Sequence, residues 1–96
     1  MRRVHDLAAA GRVRFTVKAF RELAEINLDV IDALDVLTSL RHSDAHARFR
    51  SARTGEWIFV FKPTVADVVV YLKVIVRDDC IVVSIHEDEA SDDDSP

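Results

Sequence analysis

"VVVYLKVIVRDDCIVVSIHEDE", residues 68–89, is the stretch on which the fold turns. Two runs rich in Val and Ile flank a short charged segment, the pattern of a β-hairpin. Strand side chains alternate between faces, so each run divides into two sets. In 68–77 the sets are Val68, Val70, Leu72, Val74, Val76 and Val69, Tyr71, Lys73, Ile75, Arg77. In 81–86 they are Ile81, Val83, Ile85 and Val82, Ser84, His86. One set of each run is wholly apolar and the other carries the polar residues. The hairpin therefore turns one face to a core and leaves the other open, and a slip of one residue would bury Lys73 and His86.

A two-residue turn at Asp78-Asp79 sets the expected register. It opposes Arg77 to Cys80, Ile75 to Val82, Lys73 to Ser84 and Tyr71 to His86. Directly opposed Cβ atoms lie about 4.5–5.5 Å apart. The phenol and the imidazole become neighbours on the open face, with the Lys73 ammonium one pair along. Upstream, "WIFVFK" (57–62) divides into Trp57, Phe59, Phe61 and Ile58, Val60, Lys62. In "ARFRSAR" (47–53), turning Phe49 inward sends Arg48 and Arg50 outward. The expected open face thus gathers Arg48, Arg50, Lys62, Tyr71, Lys73, Ser84 and His86.

Before residue 44 the period is 3.6 rather than 2. "RRVHDLAAAG" reads as a short helix stopped by Gly11, and Thr16 is placed to cap a second helix carrying Ala19, Phe20, Leu23 and Ala24 on one side. A third begins at Asp29, with Asp32 in its first turn and Val30, Ala33, Leu34, Leu37 and Leu40 as its buried stripe. "VRF" is a brief extended link between the first two helices. Helices followed by strands predict an α+β fold, with the N-terminal helices packed on one face of a mainly four-stranded antiparallel sheet. Residues 1–89 are expected to form one domain. Residues 90–96, "ASDDDSP", are expected to be an acidic, disordered tail.

The net charge of −4 conceals an asymmetry. All 13 Lys and Arg fall in residues 1–77 against nine acids, a balance of +4, while residues 78–96 carry the other eight acids. A basic body of this kind suits a polyanion. The single Cys80 excludes an internal disulfide and suits a reducing, cytoplasmic setting. No apolar run is long enough to span a bilayer, so no membrane partner is expected. "RHSDAHA" spaces His42, Asp44 and His46 alternately, but it reads better as a polar loop than as a metal site, and no cofactor is expected.

Cations on a wet sheet hold phosphates, and Tyr or His stacks on unpaired bases. A Tyr–His pair also offers proton-transfer groups, and RNA strand scission needs a base for the 2′-OH, an acid for the 5′-oxygen and cations for the developing charge. The same face would equally serve a non-catalytic RNA-binding or protein-interaction module.

The order and spacing of "NLDVIDALDVLTSLRHSD", "GEWIFVFKP", "VYLKVIVRDDCIVVSIHEDE" resemble the MqsR (motility quorum-sensing regulator) family of type II toxin–antitoxin toxins. The resemblance runs from about Gly11 to Glu89. It implies a RelE-like ribonuclease fold, a metal-independent endoribonuclease (mRNA interferase) acting on single-stranded mRNA, growth arrest, and restraint by a cognate antitoxin. The family's strand tyrosine falls on Tyr71 and its C-terminal-strand lysine on His86, so the resemblance makes these two the catalytic pair. Its other lysine falls near Ala47, leaving Arg48 or Arg50 to take that place beside Lys62 and Lys73 in RNA binding. A family glutamine is replaced by Ile58. Oligomeric state is left open.

Overall fold

A computed structural model describes residues 2–88 of the 96-residue chain. Its elements are α1 (Arg2–Ala9), β1 (Val13–Phe15), α2 (Val17–Glu25), α3 (Val30–Thr38), a 3-10 turn (His42–Asp44), β2 (Ala45–Arg50), β3 (Trp57–Phe61), β4 (Thr64–Val65), β5 (Val68–Val76) and β6 (Cys80–Glu87). The class is α+β. The sheet is mixed and six-stranded, in the order β1-β6-β5-β3-β2, with β4 paired to β5 off this path. The expected four-stranded antiparallel sheet is corrected by "VRF". Val13, Arg14 and Phe15 pair parallel with Cys80, Ile81 and Val82. They cover backbone groups that an edge strand would otherwise leave exposed.

The helix signals act as expected. Gly11 ends α1 with a φ of 73°, which lets the Arg12 N–H reach the Leu7 carbonyl at 2.8 Å. The Asp29 side chain accepts from the Asp32 N–H while the Asp32 side chain accepts from the Asp29 N–H, a closed capping box. Thr16 does two things: its hydroxyl accepts from the Ala19 N–H at 3.1 Å and donates to the Val83 carbonyl at 3.0 Å. Ala19, Leu23, Ala33, Leu37 and Leu40 are buried as expected, and the stripes differ elsewhere. Val36 is buried where Val30 was expected, and Phe20 turns out to solvent beside Phe15, their ring centroids 6.1 Å apart.

The core lies between the helices and one sheet face. Val4, Leu7, Ala19, Leu23, Ala33 and Leu37 meet Phe61, Val70, Leu72, Val74, Val82 and Ile85. The expected sets of β5 hold: Val70, Leu72 and Val74 are buried, while Tyr71, Lys73 and Ile75 are half-buried on the other face.

The hairpin turn differs from expectation. Its loop is three residues, Arg77 to Asp79, so Val76 pairs with Cys80 and Val74 with Val82. The register then shifts, and Lys73 pairs with Ser84, Leu72 with Ile85 and Tyr71 with His86. Val83 is the unmatched extra residue of a β-bulge. Cys80 and Val82 consequently face the core rather than the open side. None of the described helices is long and apolar enough to cross a membrane.

Candidate functional site

Strands β5 and β6 carry the site because their inner sets are anchored in the core, which fixes the outer sets in turn. Tyr71 and His86 are directly paired. Their rings stack with centroids 5.1 Å apart and planes 11° from parallel. Nδ1 of His86 lies 2.8 Å from the Glu87 carbonyl oxygen. A carbonyl only accepts, so Nδ1 carries the proton, and in the neutral tautomer the lone pair is left on Nε2. Such a nitrogen can take a proton from a substrate hydroxyl.

Two of the four predicted cations join this pair. The Lys73 Nζ stands 5.9 Å from the centroid of the Tyr71 ring and equally 5.9 Å from that of Phe49. The stem of Lys73 lies on the same face as Val60, its partner across β3, which is fully buried although it points away from the helices. Lys62 Nζ is 3.4 Å from Asp88 Oδ2, so an acid already sits against one of the predicted cations. The acidic tail, residues 90–96, lies outside the described residues.

Arg48 and Arg50 do not join them. Arg48 pairs with Phe59 and Arg50 with Trp57, which places both on the helix side of the sheet. Phe49, expected inward, occupies the open face near Lys73. The reason is local. Strand β2 is an edge strand whose six residues are all exposed, so its helix-side positions meet no core and take arginine freely.

Ser84 keeps its expected place opposite Lys73 but is buried rather than open. It is 1% exposed, and its hydroxyl donates to Glu22 Oε1 at 3.0 Å, which accepts from the Ile85 N–H at 3.2 Å as well. Glu22 thereby closes the part of the β6 edge that β1 is too short to cover. Sequence periodicity gave no sign of that role.

Cys80 is fully buried, and desolvation pushes its thiol up to about 11, which disfavours the thiolate. It is packing, not a nucleophile. Asp44 of the "RHSDAHA" segment accepts from the Arg41 N–H at 2.8 Å and so closes the 3-10 turn. A hollow of about 580 Å³ beside Asp32, Asp35, Arg41 and Asp44 does not include the ring pair.

The model of a family described as "Motility quorum-sensing regulator, toxin of MqsA" matches residues 1–87. The chain belongs to that toxin family. No curated protein matches the chain in sequence.

Proposed function

We propose that this toxin is an endoribonuclease, an mRNA interferase that cuts single-stranded mRNA and so inhibits translation and growth. The observation that carries the proposal is the stacked Tyr71–His86 pair, whose imidazole is held through Nδ1 by the Glu87 carbonyl.

Nε2 of His86 takes the proton of a ribose 2′-OH, and that oxygen attacks the adjacent phosphorus. The bond to the 5′-oxygen breaks, and the Tyr71 hydroxyl protonates the leaving oxygen. The fragments carry a 2′,3′-cyclic phosphate and a 5′-OH, and solvent returns the proton from the imidazolium to the phenolate. Lys73, beside the Tyr71 ring, and Lys62, once exchanged from Asp88, offset the charge gathering on the phosphoryl oxygens. These steps need only side-chain proton donors, acceptors and cations. The RelE-like fold, a cytoplasmic site of action and restraint by a cognate MqsA-type antitoxin belong to the same reading, as does one folded unit spanning residues 1–89.

Incubation of the full chain with end-labelled single-stranded RNA in the presence of a chelator tests it. Fragments ending in 2′,3′-cyclic phosphate are expected. Retention of the RNA without scission would leave a binding module and end the enzymatic reading.

A further inference from the structure

The two arginines that leave the open face are not scattered. The guanidinium carbons of Arg48 and Arg50 sit 5.1 and 4.8 Å from the centroid of the Trp57 ring. Arg50 is steadied by donation from Nη1 to the Gly55 carbonyl at 3.1 Å. Trp57 is 42% exposed, a large apolar ring left in water at a sheet end that no helix covers. Beside Arg48 the surface sinks into a hollow of about 260 Å³ lined by Ala45, Phe59 and Phe61. Among the described residues no ion pair occupies either guanidinium. None of these groups takes part in the proton transfers proposed above.

We infer that Arg48, Trp57 and Arg50 form a subsite for nucleotides of single-stranded RNA that flank the cut bond, reached by the strand passing around the exposed β2 edge. The inference rests on the ribonuclease reading. A part-exposed indole is a stacking platform for any base, and the two guanidiniums beside it meet the phosphates before and after that base. An acidic peptide would satisfy the arginines but leave the ring face and the adjoining hollow unused. The path is continuous. Phe49, between the two arginines in sequence but on the opposite face, is itself 42% exposed and lies near Lys73. The edge strand therefore presents aromatic and cationic groups on both of its sides. Trp57 is five residues along the chain from Lys62, a span of about 17 Å in extended strand. Only an RNA long enough to cover it engages both places.

The test compares Trp57→Ala and the double variant Arg48→Ala/Arg50→Ala with the wild-type chain. The probes are two fluorescent single-stranded RNAs, of about four and about sixteen nucleotides, the shorter contained in the longer. For Trp57→Ala the ratio of long-probe to short-probe affinity is expected to fall about ten- to hundredfold. Each lost arginine should lower the slope of log affinity against log salt for the long probe by about 0.7. Trp57→Phe, which keeps an aromatic face, should retain most of the ratio. Equal loss on both probes, or no loss on either, would overturn the subsite. So would an unchanged ratio accompanied by lost capture of a purified antitoxin, which would reassign the ladder to protein. Binding and scission are read separately. A chain that binds both probes but cuts neither refutes the enzyme, while the affinity ratio still decides the subsite.

Discussion

Removing the Tyr71 hydroxyl is the sharpest perturbation this site offers. Among the described residues no hydrogen bond holds that hydroxyl, and Tyr71→Phe keeps the ring stacked on His86. Folding stability should therefore move by less than about 0.5 kcal/mol. If the phenol protonates the leaving oxygen, scission should slow by about 10²–10⁴-fold. At about 1.36 kcal/mol per decade this raises the barrier by about 2.7–5.4 kcal/mol. His86→Ala should slow scission over the same range and also cost stability. It deletes a ring stack worth about 0.5–1.5 kcal/mol and a hydrogen bond of similar worth. Because the two residues act in one step, the double variant should be about as slow as the slower single variant, not slower by the product. Single-turnover cleavage of labelled RNA gives the rates, and urea titration gives the stabilities. Wild-type rates from both single variants with intact folds would refute the assignment. A multiplicative double variant would show that they act in separate steps.

Glu22→Ala should strand the buried Ser84 hydroxyl and the Ile85 N–H, costing about 1–3 kcal/mol for each that stays dry, whereas Glu22→Gln should keep most of the stability; an unchanged urea midpoint in the alanine variant would show that water replaces the carboxylate. Burial that pushes Cys80 up to about 11 predicts that a disulfide reagent at pH 8 labels the native thiol only on unfolding, at a rate that follows denaturant; prompt labelling without denaturant would contradict it. Asp88→Asn should release Lys62 and tighten RNA binding at low salt, with a gain that shrinks as salt rises, and no gain at low salt would mean that the acid does not compete with RNA. The Arg77 hydrogen bond holds the Glu56 carboxyl below its usual range, so its stabilisation is present above about pH 4.5 and is lost as pH falls through the lowered value; Glu56→Gln should flatten that acid limb in pH-dependent melting, and an unaltered limb would refute the contribution.

The pairing of Tyr71 with His86 was legible because each run has one set with no polar member, and only one phase of the hairpin keeps Lys73 and His86 out of the core. The bulge was not legible. Val82, Val83 and Ile85 are interchangeable by hydropathy, and two errors, a loop one residue too short and a missed bulge residue, cancelled beyond it. The parallel strand β1 was too short, at three residues, to show a period. Arg48 and Arg50 were misplaced because the inward apolar rule presumes a core on the helix side, and the edge of this sheet extends past the helices. Ser84 was placed opposite Lys73 correctly, but its burial was not legible because it depends on Glu22, which lies 62 positions away in the chain.

The unmatched Val83 has a consequence for how this hairpin can change. On the loop side of it the even-numbered residues of β6 look inward, as Cys80 and Val82 do; beyond it the odd-numbered Ile85 does. Excising that one residue would force a choice between turning His86 under the helices and driving Cys80 and Val82 into water. With it in place, tied by its carbonyl to the Thr16 hydroxyl, the two ends of the hairpin answer to separate constraints. The loop is free to be rebuilt while the rings stay where they are.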